Sequence, residues 1–423
     1  MLVNRVFDHL SPSRWQRTLL IIFATAILVR AGFALSLQDG FYFPDSLDYS
    51  ASAVTLMASR EFGDTFRRAP VYPVFLAGIY LLFGQQILTI RLVEALLGAG
   101  LAIVIAVLAR RIGGEDVGAL GGLLWSIYPT GVFIVGLVYP TNLATFLLAC
   151  AVLCIMPQKE QGLAPGRVIA GGICFGLAAL TVPVVVATVF IAGLWIIYWQ
   201  PTRRLILTSL LLLGFAVVFV PWTVRNYNVY DAFVLVEPRV VELLPSMPSD
   251  VPTHATRKVA GASQANDKIS AILENPGAFA RRFAREFRYF WELYPERLQM
   301  NRPTFREKMH QEDPRVVRET VFGTSWTSVV SLLSEGFIFL FALIGIAVMS
   351  FQKARRRDLS LLCITILSFA VGYSFFWGKM RYRIPIEPYI VILCAYGLRQ
   401  IGLSPSSRFA RDPVPAAATP QKP

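Results

Sequence analysis

Apolar residues along the chain fall into long runs with little charge. Examples are Leu19–Leu37, Ile87–Ala109 and Leu205–Val220. A run of about 18 or more such residues is typical of a bilayer-spanning helix, because a helix satisfies its own backbone hydrogen bonds in hydrocarbon. A large soluble helical protein would instead show one apolar face on each helix. The pattern therefore predicts an all-α polytopic membrane protein.

Charged residues between the runs predict the orientation of the spans. The cations that flank runs are Arg5, Arg14, Arg17, Arg110, Arg111, Lys159, Arg203, Arg204, Lys353, Arg355, Arg356 and Arg357. Because positively charged loops favour the cytoplasmic side, both termini are predicted to be cytoplasmic. The apolar segment 71–84 is short for a crossing and is predicted to lie in the outer interface.

The runs and the charges together predict about ten spans. These are 18–37, 87–109, 117–138, 141–156, 166–181, 183–199, 205–221, 329–350, 359–377 and 384–401. The first is interpreted as an uncleaved anchor. The predicted organisation is an N-terminal membrane module (1–221), an outer segment (222–328), C-terminal membrane helices (329–403) and a disordered cytoplasmic tail (404–423).

Composition narrows the function classes. Hydrophobic residues make up 55% of the 423 residues and charged residues 16%, and the net charge is +13. Much of the positive charge lies in short loops, and no nucleic-acid motif is present, so no nucleic-acid partner is expected. The five cysteines fall within apolar runs and predict no disulfide framework. The three histidines lie far apart and have no zinc-type spacing.

The first predicted outer loop (38–86) contains carboxylates followed by arginines. Asp45 and Asp48 come soon after the first span, and Arg67 and Arg68 precede the Pro70 turn. Carboxylates can act as general bases or bind a cation, and arginines can hold a phosphate with two hydrogen bonds. An ordinary solvated loop remains the alternative interpretation.

Two further outer segments carry cations. Lys379, Arg381 and Arg383 are predicted to lie outside, against the positive-inside bias, and therefore to face an anionic partner. That partner is either lipid headgroups or the phosphate of a lipid-linked substrate. Glu387 is costly in a span unless it pairs with a neighbouring arginine or faces a ligand. Arg225 follows another span as a membrane-edge cation.

A basic amphipathic helix is predicted after Asn275-Pro276. Its phenylalanines (279, 283, 287 and 290) share one face, and its arginines lie elsewhere. Such a helix either lies on the outer membrane surface or packs its aromatic face against the protein's own spans.

The ordered set of these motifs resembles a known family. The motifs are PDSLDY (44–49), RRAPVYP (67–73), PWTVRN (221–226), ENPGAFARRFAREFRYFW (274–291) and RYRIPIEPY (381–389). Together they resemble the bacterial GT-C glycosyltransferases of the protein-mannosyltransferase-like group. That group includes relatives of the lipid A aminoarabinose transferase and of the rhizobial lipopolysaccharide galacturonosyltransferases. The resemblance extends from about residue 18 to residue 400.

The resemblance implies a GT-C-type bundle of about ten transmembrane helices with periplasmic juxtamembrane helices and a small outer domain. It implies a multi-pass enzyme of the bacterial inner membrane whose active site faces the periplasm. The implied reaction is inverting transfer of a hexosyl or pentosyl group from a polyprenyl-phosphate carrier to a glycan, lipid or protein acceptor.

The resemblance also implies roles for particular residues. Asp45 is expected to be catalytic, and Asp48 is a second acidic residue that could help hold a divalent cation (Mg or Mn). The donor-phosphate ligands are expected to be Arg67, Arg68, Arg381 and Arg383. The supporting residues are Tyr49, Tyr72, Arg225, Tyr382 and Glu387. Metal dependence is not fixed, because some GT-C members use a cation and others do not.

The chain departs from the family pattern at two positions. Asn142 or its neighbour stands where many relatives have an acidic residue, and Val182 stands where many have arginine. The resemblance therefore does not extend to a two-carboxylate site.

Other function classes remain open on the sequence. A transporter or flippase of a lipid-linked sugar would also need outer cations, together with repeat symmetry and ionisable residues deep in the spans. Arg91 and Glu94 have the spacing of an i, i+3 pair. An O-antigen-ligase-like enzyme would rely on the large outer segment, and a non-catalytic scaffold would have no use for the Asp45 loop.

Overall fold

The computed structural model of the chain describes residues 13–62, 68–157, 162–231, 233–237, 273–294, 303–317 and 325–402. Among these residues the regular structure is helical, as predicted, and one parallel bridge joins Phe41 to Val316. Arg67, most of the predicted outer segment 222–328 and the predicted tail 404–423 lie outside the described residues.

The N-terminal helices begin where the sequence supplies start signals. In the first helix, the Ser13 side chain accepts a hydrogen bond from the Gln16 amide, and the Gln16 side chain accepts one from the Ser13 amide, which is a capping box. Pro44 and Pro129 occupy first-turn positions. A backbone N–H there has no helical acceptor, so proline, which lacks the N–H, loses no hydrogen bond. These helices are α1 (Arg14–Ser36), α2 (Pro44–Ser59), α3 (Val71–Phe83), α4 (Ile87–Gly113), α5 (Glu115–Ile127), α6 (Pro129–Phe133) and α7 (Thr141–Ile155).

The C-terminal half continues with eight helices among the described residues. The span predicted to end at residue 221 runs through Pro221 to Tyr230. The 3-10 helix Met380–Ile386 precedes the last helix. The helices are α8 (Pro165–Ala179), α9 (Val185–Trp199), α10 (Arg204–Tyr230), α11 (Pro276–Phe290), α12 (Pro303–Glu312), α13 (Ser325–Phe351), α14 (Arg356–Phe376) and α15 (Glu387–Gln400).

The lengths of these helices do not confirm the predicted count of ten spans. Five of the described helices are long and apolar enough to cross a membrane, and α5 with the segment Pro129–Gly136 makes a sixth that is bent by 55°. Helices α7, α8 and α9 each have 15 residues. A helix of that length extends only about 22 Å, which is shorter than a hydrocarbon core of about 30 Å. Helix α3 is the predicted short apolar helix, with 13 residues.

Glycines allow two pairs of helices to approach closely. A Cβ atom added at Gly172 of α8 would lie 2.1 Å from the Leu211 carbonyl oxygen of α10. A Cβ atom added at Gly397 of α15 would lie 2.2 Å from the Phe341 carbonyl oxygen of α13. Small residues at such crossings bring backbones into contact, which is the usual basis of helix packing in membranes.

The bend between α5 and α6 is stabilised by Arg30 of α1. This guanidinium is fully buried and donates hydrogen bonds of 2.9 Å to the carbonyl oxygens of Trp125 and Ser126. Those carbonyls lie at the end of α5, where Pro129 has no amide hydrogen to donate to Trp125, which accepts only a 3.4 Å bond from the Tyr128 amide in the main chain. The bend directs the following segment 134–141 toward the first outer loop.

Two predicted outer elements pack against the membrane helices or the first loop. The Phe41 amide donates to the Arg315 carbonyl at 2.7 Å, and the Val317 amide donates to the Phe41 carbonyl at 3.0 Å. Helix α11 begins after Asn275, whose side chain caps the Ala278 amide at 3.1 Å. Phe279 and Phe283 lie 5.6 and 5.4 Å from Phe375 of α14, so the aromatic face of α11 packs against the protein itself.

Candidate active site

The Asp45 carboxylate lies where three separate segments meet. Asp45 is in the first turn of α2, where the helix dipole favours a negative charge. One carboxylate oxygen accepts a hydrogen bond from Arg68 at 3.2 Å. The other accepts one from the Tyr139 hydroxyl at 3.3 Å and lies 3.8 Å from the Arg381 guanidinium. The Asp45 side chain is 32% exposed, so solvent or a ligand can still reach it.

Arg68 connects both carboxylates of the first loop. Its guanidinium contacts Asp45 and also pairs with Asp48, and it lies 4.9 Å above the Tyr49 ring. Burial alone would lower the pKa of Arg68, but Tyr49, Asp45 and Asp48 more than offset it, and the pKa is raised above its ordinary value. Arg68 therefore remains cationic at any physiological pH.

Arg381 contacts Asp45 although the two residues lie in the C-terminal and N-terminal parts of the sequence. It belongs to the 3-10 helix Met380–Ile386, and its guanidinium lies between the rings of Tyr139 and Tyr382, 5.3 and 5.2 Å from their centres. Aromatic faces stabilise a cation in this arrangement. The Nε atom of Arg381 is buried and has no hydrogen-bond partner among the described residues. It retains a donor for a ligand.

These side chains line a cavity of about 510 Å³. Its polar wall contains the Asp45 centre, and its other walls come from the start of α9, the segment 233–237 and the end of α14. A smaller cavity of about 160 Å³ lies beside it and shares Tyr139, Thr141 and Arg381. The charged, tyrosine and tryptophan side chains that line the large cavity are Asp45, Tyr49, Arg68, Tyr139, Glu237, Tyr373, Trp377, Lys379, Arg381 and Tyr382.

Comparison with known proteins identifies the architecture. Residues 67–224 match the family model described as dolichyl-phosphate-mannose-protein mannosyltransferase. The structure of ArnT from Cupriavidus metallidurans bound to undecaprenyl phosphate superposes with a TM-score of 0.55 at 18% identity. That match covers 90% of this chain and 60% of the ArnT chain. The chain has a GT-C fold.

A second set of GT-C structures agrees. The apo oligosaccharyltransferase of Archaeoglobus fulgidus has a TM-score of 0.57 at 13% identity, covering 93% of this chain and 51% of the other. AglB from the same organism, in complex with an inhibitory peptide and a dolichol-phosphate, has a TM-score of 0.57 at 14% identity. That match covers 90% of this chain and 50% of AglB. No curated protein matches the chain. This chain spans about half to three-fifths of the length of these neighbours.

Five of the predicted site residues line this cavity, namely Asp45, Tyr49, Arg68, Arg381 and Tyr382. Asp48 does not line the cavity, and it binds Arg68 from an exposed position. Tyr72 is fully buried and donates a hydrogen bond to Glu94 instead. Arg67 lies outside the described residues.

The predicted role of Arg383 at the donor phosphate is not supported by its position. Arg383 is fully buried and pairs with Glu387 and, at 2.9 Å, with Glu335. It also donates to the carbonyl oxygens of Phe290 and Glu292. Because its donors point at these groups, none is directed at the cavity. Glu387 therefore forms the salt bridge to a neighbouring arginine that was one of its two predicted roles.

Two other expectations about charged residues also change. Arg225 does not line the cavity, and it donates to the Phe62 carbonyl at 3.2 Å and lies over the Trp222 ring. Arg91 and Glu94, which have the spacing of an i, i+3 pair, bind other groups. Arg91 donates hydrogen bonds to the main-chain oxygens of Gln38, Gly40 and Gly136. These bonds fix the loop that precedes Asp45.

Tyr139 is the residue at the site that sequence reasoning missed. It directly follows Val138 and precedes Pro140, at the start of a predicted span. Tyrosine at a membrane boundary is ordinarily an interfacial anchor, so nothing in the local pattern indicated a contact with Asp45. The only available signal was its position three residues before Asn142.

The described residues offer a poor fit for a divalent cation. They contain no group of three or more His, Cys, Asp or Glu side chains that could hold one. Asp45 and Asp48 are both paired with Arg68, and Asp45 also faces Arg381. A hard cation prefers several oxygen ligands, and guanidinium groups at the same oxygens repel it. No step below is therefore assigned to a metal.

Proposed function

We propose that the chain is an inverting glycosyltransferase that moves a monosaccharide from a polyprenyl-phosphate carrier to a glycan, lipid or protein acceptor. The observation that carries the proposal is the meeting of Asp45, Arg68 and Arg381 in one cavity. The neighbours support it, because ArnT is bound to undecaprenyl phosphate in one structure and AglB to a dolichol-phosphate in another.

In this proposal Arg381 is the main ligand of the donor phosphate. Arg381 lines both cavities, its buried Nε has no hydrogen-bond partner among the described residues, and Lys379 lines the larger cavity. A guanidinium presents parallel donors that match the oxygens of a phosphate. Arg68 adds a second positive charge on the far side of Asp45. Cations aimed at the leaving phosphate stabilise the charge that develops on it, which is often the largest contribution to such catalysis.

Asp45 acts on the acceptor. The acceptor hydroxyl oxygen forms a bond to the anomeric carbon while the bond from that carbon to the phosphate oxygen breaks. The bonding electron pair leaves with the phosphate, and the hydroxyl proton passes to the Asp45 carboxylate. Attack opposite the leaving group inverts the anomeric centre. Because Asp45 is partly exposed, the proton can then return to solvent.

The smaller cavity is suited to the isoprenoid part of the carrier. Its walls are mostly apolar, from Phe43, Phe133, Leu137, Met380 and Ile384. It opens on Arg381, so a chain lying there would present its phosphate to that guanidinium. Apolar walls with a single charged end match an amphipathic lipid phosphate.

The charge distribution supports an active site on the outer face of a bacterial inner membrane. Arg110 and Arg111 end α4, Lys353–Arg355 lies between α13 and α14, and Arg356 and Arg357 begin α14. Positive charge at these helix ends favours the cytoplasm. The Asp45 centre lies at the opposite ends of α4 and α14, which places it outside in this proposal.

The test is mass analysis of lipid carriers and surface glycans from cells that lack the gene and express either the wild-type chain or Asp45→Asn. We expect Asp45→Asn cells to accumulate polyprenyl-phosphate sugar and to make a glycan that lacks one sugar. Asp116→Asn is the matched control, because Asp116 pairs with Arg399 away from the cavity. Unchanged carrier and glycan pools in cells without the gene would refute the transferase and favour a transporter.

A further inference from the structure

Glu94 of α4 is a fully buried carboxylate beneath the Asp45 centre. One of its oxygens accepts a hydrogen bond from the Tyr72 hydroxyl at 2.9 Å. The other accepts one from the Asn142 side-chain amide at 2.6 Å, and the same amide donates to the Glu94 main-chain oxygen. A carboxylate in a span is costly unless it is paired, so this network is not an incidental one.

The first arm of the network leads from Glu94 to Arg68. The Tyr72 ring meets the Tyr49 ring edge-on, with centres 5.4 Å apart. The Tyr49 ring in turn supports the Arg68 guanidinium at 4.9 Å, and Arg68 contacts Asp45. Fixing the Tyr72 hydroxyl on Glu94 thus fixes the aromatic surface on which Arg68 rests.

The second arm leads from Glu94 to Tyr139. Asn142 lies in the first turn of α7, three residues after Tyr139. Val138 lies between the 3-10 helix Ile134–Gly136 and Tyr139, and its φ of 50° is rarely adopted by a β-branched residue. Such a conformation persists only when its surroundings enforce it. Here Ser46 donates to the Leu137 carbonyl at 2.7 Å on one side, and Asn142 binds Glu94 on the other.

We infer that Glu94 is a positioning residue for the Asp45 centre, acting through Tyr72 and Asn142. In this chain Asn142 turns its side-chain amide toward Glu94. The two arms end on Arg68 and Tyr139, which bind the two different oxygens of Asp45. Glu94 therefore sets the orientation of Asp45 without touching a substrate. The kinetic consequence rests on the proposed transferase function.

The kinetic test uses Glu94→Gln, which keeps the side-chain volume but leaves one donor without a carboxylate acceptor. We expect transfer per folded molecule to fall about 10-fold, because misplacing catalytic groups slows the reacting step. Binding of undecaprenyl phosphate, used as the probe, should change by less than about 3-fold, because Arg381 is untouched. Adding Asn142→Asp returns a carboxylate to the pair and should recover part of the rate.

The control for simple loss of a buried hydrogen bond is Thr188→Val. Thr188 and Ser368 share a buried hydrogen bond of 2.8 Å that does not contact the Asp45 centre. Thr188→Val should lower stability and leave transfer per folded molecule unchanged. Wild-type transfer in Glu94→Gln, or an equal loss in Thr188→Val, would overturn the inference.

A second measurement does not depend on activity. Thermal midpoints of Asp45→Asn, Tyr139→Phe and the double variant give the coupling between these two side chains. We expect a non-additive shift of about 2 °C in the wild-type background and none in Glu94→Gln. Absence of coupling in the wild type, or equal coupling in both backgrounds, would overturn the inference. If the wild-type chain transfers no sugar, the proposed function fails and this cycle still decides the role of Glu94.

Discussion

Arg381 and Arg383 are two residues apart, yet they belong to clusters with opposite properties. Arg381 faces the 32%-exposed Asp45 across 3.8 Å and keeps a buried donor unpaired. Arg383 is 0% exposed and has carboxylates and carbonyls on its donors. The difference shows that an arginine–carboxylate contact does not by itself indicate whether the residues bind a ligand or stabilise the fold. An incompletely satisfied cluster beside a cavity can bind a ligand, whereas a saturated one holds helices together.

The largest expected effect comes from removing the carboxylate of the open cluster. Asp45→Asn should reduce sugar transfer about 10³-fold, because the group that accepts the acceptor proton is lost. Expression and thermal midpoint should stay near the wild-type values, because Asp45 is partly exposed. The measurement is transfer per purified molecule, with Asp116→Asn as the control. Normal transfer in Asp45→Asn would exclude the mechanism.

The buried cluster should respond in stability instead. Arg383→Met leaves Glu335 and Glu387 without their cation, which typically costs about 3–5 kcal/mol. We expect a strong loss of folded protein, measured by expression and by thermal unfolding in detergent. A triple variant that also carries Glu335→Gln and Glu387→Gln should recover part of the loss, since no buried charge then remains unpaired. A stable, inactive Arg383→Met would place Arg383 in the catalytic site after all.

A smaller effect is expected at Arg381. Arg381→Ala should weaken the apparent affinity for the polyprenyl-phosphate donor about 10-fold to 100-fold, as expected for loss of a charge-assisted contact to a phosphate. The apparent affinity for the acceptor should change much less. The donor affinity of Arg381→Lys should lie between those of the wild type and Arg381→Ala, because lysine keeps the charge without the planar guanidinium. An unchanged donor dependence in Arg381→Ala would remove Arg381 from the phosphate site.

The smallest expected effect is that of a chelator. Asp45 and Asp48 are already paired with guanidinium groups, so EDTA should leave the transfer rate unchanged. Adding Mg²⁺ or Mn²⁺ after EDTA should likewise have no effect. A rate that falls with EDTA and returns with one of these ions would show that a cation enters the site despite its arginines.

Sequence patterns anticipated part of the site for identifiable reasons. Asp45 and Arg68 lie in one short loop, where a polar motif stands out between two apolar runs. Arg381 stood out because its predicted side conflicted with the positive-inside bias. Arg383 satisfied the same criterion, yet it is buried against carboxylates and does not line the cavity. The sequence could not indicate this, because Glu335, which pairs with it, is 48 residues away.

The sequence by itself determined that the chain is a helical membrane protein with a polar loop after its first helix, because hydrophobic run length and loop charge act locally along the chain. Only the tertiary structure decided which charges meet. Tyr139 reaches Asp45 across 94 positions, and Asn142 reaches Glu94 across 48. Such contacts depend on how helices cross and bend, and on one strained turn at Val138, none of which leaves a periodic signal in the sequence.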